Sequence, residues 1–274
     1  MTDLIRLYPQ PVHEVALQGA YLEHELRQYA ERSGKPFVYS NFVASVDGRI
    51  AIPRENGKGL RVPPAIANDR DWRLYQELAA QADILISSSR YLREWAEGKA
   101  QEILQFDDPQ FADLRAWRQT RGLSAQADIA VVSHRLDFPI PDMLTANGRK
   151  VVIFTTTQAD PKRVEAIESE AIRVVAAGEE QVDGERMVAK LAEMDYRTIY
   201  SGAGPQVMHM LLTGKVLNRL YLTQANRLLG GDPYAGIVDG PLFDPPVNLK
   251  LHTLYFDAAG LDGLGQLFGS YDRV

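Results

Sequence analysis

At 274 residues, with a formal net charge of −6 and no cysteine, the chain is long enough to bury a substantial core and excludes disulfides, thiolate nucleophiles and Cys-ligated metal centres. Hydrophobic residues make up 45% and charged residues 24%, the balance of a soluble globular chain. No Lys/Arg cluster interleaves with aromatics, no charged-then-apolar leader precedes Tyr8 and no apolar run approaches a membrane span, so neither a nucleic-acid partner nor a membrane is expected, and the cytoplasm is the expected location.

Residues 1–35 carry no motif and are expected to form an N-terminal arm to a single domain spanning 36–274. From Pro36, Phe37-Val38-Tyr39-Ser40-Asn41-Phe42-Val43 reads as a strand closed by the turn pair Asp47-Gly48. Pro63-Pro64 is expected to open a helix with Ile66, Trp72, Leu74 and Leu78 on its apolar face, ahead of a short buried strand at Asp83–Ser87. Tyr91, Leu92, Trp95, Ile103 and Leu104 suggest a further helix, broken at Asp107-Asp108-Pro109 before another at Phe111–Trp117. Strands then alternate with helices: Ile129–Val132, Val151–Phe154, helix Pro161–Glu168, Ile172–Val175, helix Glu185–Met194 and Thr198–Tyr200. Such alternation calls for crossovers and a largely parallel sheet. Leu220–Thr223, Val247–Tyr255 and Leu267–Asp272 finish the chain as strands without a helix between the last two, so the expected fold is α/β: a mixed, mainly parallel sheet flanked by helices, with antiparallel C-terminal strands.

Three stretches carry candidate chemistry. In Ser201-Gly202-Ala203-Gly204-Pro205-Gln206-Val207 a strand passes through a small-residue turn into a helix, a geometry that brings backbone N–H groups and a helix dipole to a phosphate. Val207 stands where the dinucleotide fingerprint needs a third small residue, so backbone chemistry alone leaves a phosphate site and a plain tight turn both open. Asn41, Ser45 and Asp47 gather at a strand end, where they either meet a polar substrate or close a turn. Asp107 and Asp108 are adjacent, which suits a helix break or N-cap and not a catalytic carboxylate pair. His13, His24, His134, His209 and His252 lack metal-ligand spacing, so no metal site is expected, and no nucleophile elbow or Walker loop occurs.

Taken in order, Ser45-Val46-Asp47-Gly48-Arg49-Ile50-Ala51, Asp107-Asp108-Pro109, Gly204-Pro205, Leu217-Asn218-Arg219-Leu220-Tyr221-Leu222 and Leu228-Leu229-Gly230-Gly231 resemble the pyrimidine reductase domain of riboflavin biosynthesis over roughly residues 36–273. The resemblance implies a dihydrofolate reductase-like fold, NADPH as cofactor, a homodimer, and reduction of a small heterocyclic or sugar-amine metabolite such as 5-amino-6-(5-phosphoribosylamino)uracil. It implies catalytic roles for Asp47 and Asp108, substrate contacts from Ser45 and Asp107, and cofactor contacts from Gly204, Pro205, Gln206 and Val207. By their own chemistry and place in the chain, Asn41 and Arg90 are further candidate substrate contacts, and Ser87, Ser88, Ser201, Gly202 and Ala203 further candidate cofactor contacts. The strand-rich tail from Val247 to Asp272 is an expected source of the dimer interface.

The substrate half departs from the family, which usually has a lysine where Asn41 stands, a glutamate at Gly202 and an arginine at Ala79. Ser87-Ser88-Ser89-Arg90-Tyr91 replaces its Gly-x-x-Thr, and offers either a replacement anion site or a helix cap beside a solvated arginine. The alternatives are therefore a dihydrofolate reductase-like enzyme with a different substrate and a non-catalytic nucleotide-binding module.

Overall fold

The computed structural model describes residues 3–55, 59–97, 105, 108–141, 144–145 and 148–274. Its frame is strand β3, Phe37–Ser45, whose alternate side chains feed two cores. Phe37 and Tyr39 enter one apolar cluster while Val38, Phe42 and Ala44 enter the other. A nearly unbroken apolar run is what a strand covered on both faces requires.

On one side of β3 lie β10 (Thr198–Ser201), β6 (Ile84–Ser88), β7 (Asp128–Val132), β8 (Val151–Thr155) and β9 (Ile172–Ala176), each parallel to its neighbour. On the other side, β11 (Arg219–Ala225) is also parallel to β3. Beyond it β13 (Gln266–Arg273), β12 (Leu249–Asp257), β1 (Leu4–Tyr8) and β2 (His13–Val15) continue in antiparallel pairs to complete eleven strands. Two short strands, β4 (Ile52–Pro53) and β5 (Leu60–Arg61), form a separate ribbon. The mixed sheet with antiparallel C-terminal strands is the one expected from the sequence.

Several local expectations change. Residues of the 1–35 segment supply β1 and β2 to the sheet, and helix α1, Leu26–Ser33, packs in the same core as Leu74 and Leu78. Helix α2 runs from Asp69 to Ala80, five residues after Pro64, because the Asn68 side chain accepts from the Arg70 and Asp71 amides at 3.1 Å and caps it there. Helix α3 spans Ser89–Ala96, and the expected helical positions Ile103 and Leu104 lie outside the described residues. Helix α4, Ala112–Thr120, follows a 3-10 turn at Pro109–Phe111. The β12–β13 hairpin has both of its edges covered, by β1 and β11, so the tail offers no free strand edge for a partner.

Helices α6, Gly184–Glu193, and α7, Pro205–Thr213, cover the second face through Met187, Leu191, Met208 and Leu211. Their backbones touch: a Cβ at Gly184 would stand 2.6 Å from the Met210 carbonyl oxygen, and one at Gly214 2.7 Å from the Glu185 amide nitrogen. Glycine at both positions thus fixes where α7 begins relative to the sheet.

Candidate active site

The chain passes from β3 through α2 to β6 and leaves between those strands the place that β10 later fills. The carboxyl ends of β3, β10 and β6 consequently meet where the winding changes direction, the position at which open α/β sheets collect ligands. A cleft of about 2200 Å3 opens there and continues along α7 beside residues 239–248.

One wall is the turn after β10, and Gly202 through Val207 all line the cleft. Gly204 is the N-cap of α7 at φ −75° with no capping side chain, and Pro205 takes the first helical position. Among the described residues nothing accepts from the amides of Ala203, Gly204 and Gln206. A Cβ at Gly204 would meet nothing within 4 Å, and among the described residues the buried Ser201 hydroxyl has no hydrogen-bond partner. Open N–H groups backed by a helix dipole form a cradle for a phosphate or diphosphate.

The facing wall is α2, which presents Asp71, Trp72 and Tyr75. Asp71 lies in the first turn and is only 9% exposed. Burial pushes its carboxyl up to about 6, against the lowering effect of the nearby Thr223 hydroxyl. Trp72 and Tyr75 stack with centroids 4.8 Å apart and planes 12° apart. The Tyr75 hydroxyl stands 3.1 Å from where a Cβ on residue 202 would be, so Tyr75 takes up space that a side chain at Gly202 would need. Between the walls the Asn41 side-chain oxygen accepts from the Tyr200 hydroxyl, and the Tyr200 ring stacks on Tyr39 at 5.0 Å.

Of the residues expected from the sequence, Asn41, Ser88, Arg90 and the turn Gly202–Val207 come together around this cleft. Ser87 and Ser201 are buried at the strand ends beneath it. Ser45 and Asp47 are not among its lining residues: the Asp47 carboxylate accepts from the Ser45 hydroxyl, from the amides of Leu229 (3.2 Å) and Gly230 (2.8 Å), and from Arg49 at 2.8 Å. The Ser45 bond is the chief cause, and the Gly230 amide the next, that holds this carboxyl well below the usual carboxylate range. Asp47 is thus a clamp on the 226–231 loop and a poor proton donor. Asp108 caps the 3-10 turn by accepting from the Gln110 amide at 3.0 Å, the bland role its Asp-Pro context offers, and is not a lining residue either. Asp107 lies outside the described residues.

Sequence reasoning misses Asp71, Trp72 and Tyr75. In the sequence, the helix is expected to open at Pro63-Pro64 with Trp72 on its apolar face, and Asp71 and Tyr75 carry no motif. Only the approach of Thr223 on β11 distinguishes Asp71 from a solvated helix charge.

Among solved structures, a pyrimidine reductase-like protein from Corynebacterium diphtheriae matches with a TM-score of 0.65 at 17% identity, over 87% of this chain and 92% of that one. The riboflavin biosynthesis reductase of Saccharomyces cerevisiae matches at 0.56 and 14%, over 92% and 99%. The diaminohydroxyphosphoribosylaminopyrimidine deaminase/5-amino-6-(5-phosphoribosylamino)uracil reductase of Thermotoga maritima matches at 0.60 and 12%, over 92% of this chain and 62% of that one. No curated protein sequence matches the chain. A family model described as the RibD C-terminal domain matches residues 36–261, most of the chain, and the protein therefore belongs to the RibD C-terminal domain family.

Proposed function

We propose that the protein is an NADPH-dependent reductase of a small heterocyclic or sugar-amine metabolite, of the kind represented by 5-amino-6-(5-phosphoribosylamino)uracil. The observation that carries this reading is the open backbone cradle at Ala203–Gln206 facing Asp71 across one cleft. The cradle fits the cofactor's diphosphate, since a Cβ at Gly204 meets nothing within 4 Å and, among the described residues, the buried Ser201 hydroxyl lacks a partner. When bound, NADPH supplies a hydride to the acceptor carbon.

The chain's own contribution is to hold the two reactants together and to supply a proton. The α7 amides would fix the diphosphate, and the aromatic wall at Trp72 and Tyr75 excludes water from one side of the acceptor. Asp71 is the group placed to give the proton that accompanies hydride uptake. A carboxyl titrating near 6 stays about one-tenth protonated at pH 7, whereas one at its ordinary value would be almost fully ionised.

A second reading, a reductase of another acceptor, is favoured by one observation: the Tyr75 hydroxyl fills the space beside Gly202 where the resemblance implies a glutamate. Nicotinamide fluorescence on titration with NADPH tests the common core of both readings, and absence of binding would sink them. Where NADPH binds, turnover of the ribosylamino-pyrimidine phosphate separates the first from the second. Binding without turnover of any acceptor would leave a nucleotide-binding module.

Among the described residues no helix is long and apolar enough to cross a membrane. The proposal extends to a cytoplasmic homodimer, tested by fractionation and by sedimentation.

A further inference from the structure

Asn41 stands on β3 where the resemblance implies a lysine, and its amide has two different ends to offer a ligand, an oxygen that accepts and an NH2 group that donates. Beside it on the neighbouring strand β10 is Tyr200, which has no exposed surface. The Tyr200 hydroxyl donates to the Asn41 side-chain oxygen, and among the described residues it has no other hydrogen-bond partner. The Tyr200 ring is held in place. It stacks on Tyr39 with planes 17° apart, and Tyr75 meets it at 65° with centroids 5.6 Å apart. Tyr39 is anchored in turn by its own hydroxyl, which donates to the Leu78 carbonyl oxygen on α2 at 2.8 Å.

This bond decides which end of the amide meets the cleft. A phenol has one proton to give, and burial first, then the phenols of Tyr75 and Tyr39, push the Tyr200 pKa well above the ordinary tyrosine value, so that proton stays in place. Were the Asn41 amide turned over, the buried O–H would lose its acceptor, the costlier arrangement. The oxygen is therefore committed inward. The NH2 group of this half-buried, cleft-lining residue is left to donate, and among the described residues nothing accepts from it.

We propose that Tyr200 is a positioning residue that fixes the polarity of the acceptor contact at Asn41, so that the site takes a ring presenting an oxo oxygen there over one presenting an amino group, an inference that rests on the reductase reading above. Asn41 pairs with Tyr221 across β3 and β11, and Thr223, the neighbour of Asp71, stands two residues further along β11. One strand spacing and two residues of rise amount to about 8 Å between those backbone positions. A planar heterocycle bridges the space between side chains set that far apart, with its oxo oxygen on the Asn41 amide and another edge toward Asp71. A lysine at position 41 would also donate, but as a cation suited to an anionic group. The neutral amide suits a neutral oxygen.

The test uses a matched pair of ring probes, pyrimidin-4-one and 4-aminopyrimidine, which are uncharged at neutral pH and differ by an oxo for an amino group. Ligand-observed NMR measures the affinity of each for the NADPH-loaded wild type, Tyr200→Phe and Asn41→Asp, with NADPH affinity and melting temperature followed alongside. The wild type is expected to bind the oxo ring about tenfold more tightly than the amino ring, the difference between a made hydrogen bond and two opposed donors. Tyr200→Phe frees the amide to turn, so the preference should shrink to within about threefold while NADPH affinity is unchanged. Asn41→Asp presents an acceptor in place of a donor and should reverse the preference. A purely structural role for Tyr200 would weaken both rings equally and keep their ratio, and that result, or a wild type without preference, overturns the proposal. Failure of both rings to bind an NADPH-loaded wild type overturns it as well and leaves the cofactor reading standing. A wild type that binds no NADPH overturns the reading beneath it.

Discussion

The Thr223 hydroxyl on β11 approaches Asp71 in the first turn of α2, and its lowering effect at the cleft wall does not offset the burial of the carboxyl, which is pushed up to about 6. The folded-state value lies above the unfolded one, so Asp71 contributes stability below about pH 4 that is lost as pH rises through 6. At pH 8 the ionised, buried group costs on the order of 3 kcal/mol. Asp71→Asn is expected to raise stability by up to that amount at pH 8, to leave it unchanged at pH 4, and to abolish turnover while NADPH still binds. Urea unfolding at the two pH values measures the first effect. A variant that is less stable at pH 8, or that turns over normally, would remove Asp71 from the proton-delivery role.

His24 has the opposite sign. Its Nδ1 lies 2.8 Å from the Tyr221 hydroxyl and its Nε2 3.2 Å from that of Tyr255. Burial first, and the charge of Arg219 second, push its pKa down to about 3. The unfolded chain takes up that proton near pH 6.5, so the stability due to His24 is complete above 6.5 and lost as pH falls toward 3. Between about pH 4 and 6 the contributions of Asp71 and His24 run at roughly 1.4 kcal/mol per pH unit in opposite directions and cancel. Relative to wild type, Asp71→Asn should lose stability more steeply over that window on acidification, and His24→Gln should gain it. Parallel stability profiles for the three proteins would refute this pairing.

Glu77 holds the N-terminal segment to the core. Its carboxylate accepts from the Gly19 amide at 2.6 Å, the Tyr21 amide at 2.9 Å and Arg73 at 2.9 Å, with no exposed surface. Removing it strands two backbone donors and one face of the Arg73 guanidinium, which keeps its ion pair with Asp113, a loss of about 2–4 kcal/mol. Glu77→Ala is therefore expected to unfold at markedly lower urea and to become open to proteolysis around residues 17–25. Gln81, whose side chain accepts from the Leu26 amide at 3.0 Å and donates to the Tyr21 carbonyl at 2.8 Å, leaves helix α1 attached. Cleavage confined to the segment before Leu26 would bear this out, and uniform cleavage would not.

What the sequence discloses is what its neighbours along the chain determine. The turn at Ser201–Val207 is legible because glycine, proline and the flanking apolar runs encode a strand, a turn and a helix start within ten residues. The mixed sheet is legible for the same reason, since apolar runs and turn residues alternate from Phe37 to Tyr255. Asp71 is not, because its character depends on Thr223 and on burial that only the folded sheet creates. Asp47 misleads in the same way: next to Gly48 it reads as a polar strand end, while its carboxylate is consumed by the amides of Leu229 and Gly230 from the far end of β11. Residues 1–35 carry no motif, and their attachment is written instead in the buried polar atoms of Glu77 and Gln81.

Gly204 separates stability from cofactor binding. It occupies the N-cap of α7 at φ −75° and ψ −175°, values open to any L-residue, and a Cβ there meets nothing within 4 Å. An aspartate at an N-cap accepts from the amides of the first turn and favours the helix dipole, so Gly204→Asp should preserve or slightly raise the melting temperature. The same carboxylate satisfies the N–H groups offered to the diphosphate and repels its charge. NADPH affinity is expected to fall by at least a hundredfold, on the order of 3 kcal/mol. Gly204→Ala, which adds volume without charge, should weaken binding less. A stable Gly204→Asp protein that binds NADPH as tightly as the wild type would move the cofactor away from α7.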